Sequence, residues 1–339
     1  MTAAKPAIWF LAIRAGTGAD VFTTRLCAAL NALGIRSEIT WLPHRAEYLP
    51  WLSSPPQPPP WATIAHVNTW LHRRFLPSQL PIVATMHHVV HDASLAPFKR
   101  TSQSLYHRFW IKEIEQQVLA RADAISCVSQ YTANQLNSCF GKTQSVVIHN
   151  GVDLSLFEPT SSFEPSSTFR LVYVGSWSKR KGSDMLATIM DKLGTGFELR
   201  YTGPPRPMPE NCTSLGRIDT AALVELYGNS DALLFPSRLE GFGQVAAEAM
   251  ACGLPVVAGR NSALPEVVKH QHTGLLVEHD CPQDYVDAIK TISSCRSRWL
   301  EMSAAARKHA IANFDIIKMA ESYAQLYCQL IEQGNAHVK

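Results

Sequence analysis

No two cysteines of this sequence stand at Cys-x2-Cys spacing. Its eight cysteines, at 27, 127, 139, 212, 252, 281, 295 and 328, are scattered over 339 residues. That distribution argues against a zinc site and a disulfide framework, so they read as small buried hydrophobes in a reducing compartment. Long apolar runs are missing too. Ile8-Trp-Phe-Leu-Ala-Ile13 is too short for a signal-peptide core, and no later run approaches the roughly 18 residues that span a bilayer. The expectation is a cytoplasmic protein, at most held at the inner face of a membrane. Charged residues make up only 17% of the chain against 46% hydrophobic, which excludes general disorder. Gly16-Thr-Gly18 lacks the third glycine of a dinucleotide fingerprint, which counts against a dehydrogenase.

What is present is an alternation of short apolar runs with amphipathic stretches. The first half has runs at Ile8–Ile13, Glu38–Leu42, Ile64–Val67, Ile82–Thr85, Ala124–Val128 and Val146–Ile148, with helical patterns such as Val21–Leu33 and Ser104–Ala122 between them. The second half repeats the scheme at Arg170–Val174, Phe197–Tyr201, Ala232–Phe235, Pro255–Ala258 and Gly274–Val277. Near-continuous apolar strands separated by helices predict parallel sheets covered on both faces, hence two doubly wound α/β domains. The Pro- and Ser-rich stretch Glu158–Thr168 has linker composition. The domains expected are 1–152, a linker 153–168, a second domain 169–317, and a helix 318–339 packing back toward the first domain.

Charge is uneven. Residues 1–150 hold 13 Lys+Arg and 7 Asp+Glu, a balance of +6, whereas 151–339 hold 18 and 21, a balance of −3. The first domain is suited to something anionic, either a lipid surface or a phosphorylated acceptor. Within it, Lys99, Arg100, Arg108 and Lys112 interleave with Tyr106, Phe109 and Trp110 on an expected helix. Such a helix either lies on a membrane surface or turns its aromatics inward and its cations outward.

The strongest chemical signal is Phe235-Pro-Ser-Arg-Leu-Glu240-Gly-Phe-Gly-Gln-Val-Ala-Ala-Glu248-Ala-Met-Ala-Cys-Gly253-Leu-Pro255. A buried strand ends at Pro236, a loop with Gly241 and Gly243 follows, and then a helix with Glu248 about a turn and a half in. Gly253 suits the position just past that helix, and Pro255 cannot continue it. Glycines let backbone amides approach a ligand, and a following helix N-terminus favours phosphate. Two carboxylates so placed can accept hydrogen bonds from hydroxyl-rich groups on either side of that phosphate. A second signal, Val174-Gly-Ser176-Trp-Ser-Lys179-Arg180-Lys181-Gly182, puts three cations at a strand-to-helix turn, with the helix starting near Ser183. That is the composition of a diphosphate clamp. A third, Thr85-Met-His87-His88, ends a buried strand in histidine; His87, His88, His91 and Asp92 are also metal-ligand types, but no partner cluster is evident and no metal is expected.

These motifs resemble the largest family of retaining GT-B glycosyltransferases, glycosyltransferase family 4 or "group 1". Glu240–Glu248 is its Glu-x7-Glu signature, and Pro-Ser-x-x-Glu-Gly-Phe-Gly, Leu264-Pro-Glu266, Gly274-Leu-Leu-Val and Asn150-Gly-Val-Asp153 stand in family order. The resemblance implies two Rossmann-like domains facing each other across a cleft. It implies that Glu240 takes donor-sugar hydroxyls with the amides of Gly241, Phe242 and Gly243, and that Glu248 holds the ribose. Lys181 matches the family's phosphate lysine; the family's arginine is replaced by Ser176, with Lys179 and Arg180 as candidate substitutes. His87 would lie beside the donor sugar, and Gly16 and Gly18 form a loop near donor and acceptor.

The function so implied is transfer of a hexosyl group from a nucleoside diphosphate sugar, with retention, in cell-envelope polysaccharide, lipopolysaccharide or glycolipid synthesis. The nucleotide sugar is a substrate, and no further cofactor is expected. The partners expected are the donor and a lipid-linked or anionic acceptor, with a peripheral membrane contact and no nucleic acid. A nucleotide-sugar epimerase and a non-catalytic two-domain sugar-binding protein are the alternatives.

Overall fold

The computed structural model describes residues 5–141, 143–159 and 168–336. Among the described residues twelve strands form two sheets of six, parallel throughout. In the first, β1 (Ile8–Ile13), β2 (Ser37–Leu42), β3 (Ile64–Asn68), β4 (Ile82–Met86), β5 (Ala124–Cys127) and β6 (Val146–Val147) take the order β2-β1-β3-β4-β5-β6. In the second, β7 (Phe169–Tyr173), β8 (Phe197–Tyr201), β9 (Cys212–Ser214), β10 (Ala232–Phe235), β11 (Val256–Gly259) and β12 (Gly274–Val277) run β12-β11-β10-β7-β8-β9. The central strands are buried along their lengths, as all-parallel sheets with helices on both faces require.

The chain divides into two compact units, Met1–Gly151 with Ile316–Lys339, and Val152–Asp315. The final helix, Ile316–Ala336, belongs to the first unit, and it begins two residues before the expected boundary. Met319, Ala320, Tyr323 and Tyr327 join Phe10, Leu26 and Leu30 in that unit's core. The crossing at residue 151 needs glycine, since a Cβ there would lie 2.4 Å from the Ile316 Cα.

The linker reading of 153–168 is corrected for its described part. The Val152 amide donates to the Phe314 carbonyl at 2.7 Å, and Phe157 is fully buried, so residues 152–159 pack into the second unit. Residues 160–167 lie outside the described residues. The cysteines divide as well: Cys27, Cys127 and Cys252 are buried, whereas Cys295 and Cys328 are exposed.

Candidate functional site

In the second sheet the chain reverses its winding direction between β7 and β10. Ligands of doubly wound folds bind in the crevice at the carboxyl ends of such a pair of strands. The loop after β7 is the basic segment 174–182, and the loop after β10 is 236–243. The topology therefore brings the two strongest sequence signals to one place.

The two loops are in direct contact. Lys181 Nζ lies 2.5 Å from Glu240 Oε1, with both side chains largely buried. Ser237 Oγ donates to the same carboxylate at 2.6 Å, and the Glu240 amide donates to Ser262 Oγ at 2.9 Å. Burial alone would raise the Glu240 pKa, but the Lys181 and Arg180 charges and the hydrogen bonds outweigh it and hold the carboxyl below its ordinary range. Arg180 donates from Nη1 to the Leu239 carbonyl at 2.9 Å, which keeps its charge near Glu240. Lys179 is exposed, as is Ser176. Of the two candidate substitutes for the arginine absent at Ser176, Arg180 is thus the one held against the Glu240 loop.

Local backbone explains the glycines. Gly182 has φ +70°, and a Cβ there would come within 2.0 Å of the Pro236 carbonyl oxygen. It is followed by an irregular turn; the next helix is Leu186–Leu193, not one starting near Ser183. Gly243 has φ +106° and caps the helix Gln244–Ala251. Phe242 is buried against Phe314, with ring centroids 5.4 Å apart, so only its backbone can face a ligand. Glu248 is buried in the second turn of that helix, and Gln244 Nε2 donates to it at 3.3 Å.

In the first unit His87 follows β4. Its Nε2 lies 3.0 Å from Asn68 Oδ1 at the end of β3, so Nε2 carries the proton, and its ring meets Phe22 edge-on at 4.6 Å. Burial lowers its pKa to about 4, so the ring is neutral at neutral pH. Gly16, at φ +71°, and Gly18 form the turn after β1. Asp20 Oδ2 already accepts the Ala15 and Gly16 amides, at 3.0 and 2.7 Å. The Gly16 amide is thus committed to Asp20, whereas the family reading turns this loop toward donor and acceptor. Among the described residues no three His, Cys, Asp or Glu side chains are grouped to hold a metal ion.

Of the two placements open for the basic-aromatic stretch, Tyr106 and Trp110 take the inward one and Phe109 does not. Tyr106 donates to Glu47 at 3.1 Å, and Trp110 Nε1 to the Glu47 carbonyl at 3.0 Å, so both turn inward onto segment 44–52. The Lys99 ammonium is engaged by the Val90 carbonyl. Phe109 (68% exposed) and Leu105 remain on the surface, with Trp51 and Leu52 beside the same segment. Among the described residues no helix is long and apolar enough to cross a membrane.

Sequence reasoning missed Ser237, Arg238, Asn261 and Ser262. Ser262 holds a left-handed conformation (φ 48°), strained for a residue with a side chain, and its hydroxyl is what orients the Glu240 backbone. Ser237 and Arg238 stand inside the Glu240 motif with no separate role readable there, and Asn261 and Ser262 stand in no motif.

Comparison with known proteins agrees with this layout. Residues 16–156 match the profile of Glycosyltransferase Family 4, and residues 206–309 that of the group 1 glycosyl transferases. A D-inositol 3-phosphate glycosyltransferase of Catenulispora acidiphila is 28% identical over 253 residues, 65% of this chain and 60% of that relative's length. A sucrose-phosphate synthase from Thermosynechococcus elongatus superposes with a TM-score of 0.80 at 20% identity, covering 97% of this chain and 100% of the other. Anabaena HepE in complex with UDP and glucose does so at 0.73 and 17%, covering 95% and 99%. The structural likenesses establish the GT-B fold, and with two family profiles matching consecutive stretches in the expected order, the chain belongs to the group 1 glycosyltransferases of glycosyltransferase family 4.

Proposed function

We propose that the protein transfers a hexosyl group from a nucleoside diphosphate sugar to an anionic or lipid-linked acceptor, with retention of anomeric configuration. The observation that carries this reading is the pairing of Lys181 with Glu240 at the β7/β10 switch point. A cation for diphosphate and a carboxylate for sugar hydroxyls at one point match the two halves of such a donor. HepE, a structural neighbour, has been solved with UDP and with UDP-glucose, which supports a donor of this class.

In the proposed reaction the bond between the anomeric carbon and the diphosphate oxygen breaks. The acceptor hydroxyl attacks from the same face, and its proton passes to the departing diphosphate. Lys181 and Arg180, with amides at the start of the helix Gln244–Ala251, stabilise charge developing on the leaving group. Glu240 holds sugar hydroxyls and Glu248 the ribose. His87, neutral in the first unit, would act there as a hydrogen-bonding group and not as a cation. Gly16 and Gly18 leave room near the turn after β1.

An anionic acceptor is favoured by the +6 balance of residues 1–150 and by the name of the Catenulispora relative, whose acceptor is a phosphorylated inositol. We place the reaction at the cytoplasmic face of a membrane, in envelope polysaccharide, lipopolysaccharide or glycolipid synthesis. The exposed Trp51, Leu52, Leu105 and Phe109, flanked by Arg45, Arg73, Arg74, Arg100 and Arg108, support peripheral contact with an anionic bilayer.

The test has two stages. Thermal shifts with UDP, GDP, ADP and their sugars identify the nucleotide, because ligand binding stabilises the fold by mass action. Incubation with the matching nucleotide sugar and a membrane extract should then release free nucleotide in step with a product carrying the donor's anomeric configuration. Inversion would refute retention; isomerised nucleotide sugar without release would mean an epimerase; binding with neither would mean a sugar-binding protein.

A further inference from the structure

Arg238 stands two residues before Glu240, and its guanidinium enters a set of loop contacts. Nε donates to Asp280 Oδ2 at 2.5 Å, and Nη1 donates to Asp184 Oδ1 at 2.7 Å and to the Lys179 carbonyl. Asp184 follows the basic loop, and Asp280 follows β12. The Arg238 side chain is only 15% exposed, so its charge is spent on these partners.

The backbones of the two loops are also tied in both directions. The Arg238 amide donates to the Arg180 carbonyl at 2.9 Å, and the Arg180 guanidinium donates back to the Leu239 carbonyl. Gly182 lies against Pro236 with no room for a Cβ. Lys181 therefore sits between two residues, 180 and 182, that are both fixed against the 236–239 segment. Arg238 clamps that arrangement by gripping the basic loop at residues 179 and 184.

We propose that Arg238 is a positioning residue for the donor site. It holds the basic loop in register with the Glu240 loop, so that the Lys181 ammonium reaches the diphosphate and the Glu240 carboxylate reaches the sugar. This rests on the reading of Lys181 as the phosphate ligand. Side-chain placement of this kind controls function steeply, because a displacement of about 1 Å at a reacting group can cost on the order of a hundredfold.

The test is a double-mutant cycle read by calorimetry, using whichever of UDP, GDP and ADP wild type binds most tightly, and the matching nucleoside. Arg238→Met should weaken nucleoside diphosphate binding roughly tenfold or more and leave the nucleoside unaffected. On a Lys181→Ala background the same substitution should cost nothing further, because Arg238 acts through Lys181. Asp184→Asn, which breaks one side of the clamp, should give the same pattern in smaller amount and serves if Arg238→Met does not fold. Additive losses in the cycle, equal losses for nucleoside and nucleoside diphosphate, or unchanged binding in both Arg238→Met and Asp184→Asn would overturn the proposal. If Lys181→Ala alone leaves diphosphate affinity intact, the phosphate reading of Lys181 has failed, a result distinct from failure of the clamp.

Discussion

Lys181 and Glu240, 59 residues apart in sequence, meet at 2.5 Å where β7 and β10 end. Each is the charge that offsets the other's burial, and a bound donor would have to share both. The pair keeps a carboxylate ionised in a site that would otherwise favour its neutral form.

Lys181→Met should therefore be destabilising, by roughly 2–4 kcal/mol at pH 7, because it leaves a buried carboxylate short of its main partner. In wild type the depressed Glu240 pKa contributes stability above the unfolded value, near 4.3, and that contribution is lost as pH falls through the folded value. In the variant the carboxyl pKa rises. The deficit relative to wild type is then largest at neutral pH and shrinks as pH is lowered toward about 4. Denaturation of both proteins at pH 7 and 4.5 checks this; a deficit independent of pH would mean that lost packing, not charge, is responsible. Adding Glu240→Gln should restore part of the loss.

Glu248→Gln should lower affinity for the nucleotide by about ten- to a hundredfold while leaving the fold intact, the cost of one charge-assisted hydrogen bond. Calorimetry on the folded variant decides: unchanged affinity would remove Glu248 from the ribose.

How far the sequence reached depends on the kind of signal. Eleven strands were readable within a residue or two because each lies in a short apolar-rich run, even where, as in Ser37–Leu42 and Val146–Val147, much of it is not buried. The twelfth, Cys212–Ser214, was not, since it is short, half-exposed and polar. Glu240, Glu248 and Lys181 were legible as motifs with a required spacing. Arg238, Asn261 and Ser262 were not, because their roles exist only across loops brought together by the fold: Asn261 Nδ2, for instance, donates to the Ser237 carbonyl at 3.0 Å. The inward turn of Tyr106 and Trp110 was one of the two placements the sequence left open, and what selects it, the distant Glu47 and a wide π-type turn at His107–Ile111, was not legible there.

His66 provides a pH-dependent prediction in the first unit. Its Nδ1 lies 2.6 Å from the Tyr327 hydroxyl and its Nε2 2.7 Å from Thr85 Oγ1, and burial lowers its pKa to about 3. The unfolded chain, with a histidine pKa near 6.5, takes up the proton first, so stability falls as pH drops below about 6.5. The slope should approach about 1.4 kcal/mol per pH unit for this residue, with His87 adding to it. Hydrogen exchange across Ile316–Ala336, which carries Tyr323 and Tyr327, should accelerate between pH 6.5 and 4.5 beyond the intrinsic rate. His66→Gln should flatten that dependence; an unchanged profile would place the sensitivity elsewhere.

The surface of the first unit yields the last prediction. Trp51 packs edge-on against Trp110 at 6.4 Å, and Tyr48 lies 5.6 Å from Tyr106, so segment 48–52 and the 105–110 turn form one face. Trp51 (57% exposed), Leu52 (59%) and Phe109 (68%) present apolar groups there, and His72 stacks on Trp110 with Arg73 and Arg74 next in sequence. Apolar and aromatic tips among arginines suit the headgroup region of an anionic leaflet, where each cation contributes about 1 kcal/mol, screened within a Debye length of about 8 Å at physiological salt. In co-sedimentation, wild type should bind vesicles containing phosphatidylglycerol and not neutral ones, and release at high salt. Arg73→Glu with Arg74→Glu and Arg108→Glu should abolish binding. Trp51→Ser with Phe109→Ser should weaken it and make the remainder more salt-sensitive, since only the electrostatic part is left. Binding indifferent to lipid charge, or a face covered by a second copy of the chain in light scattering, would refute membrane contact at this face.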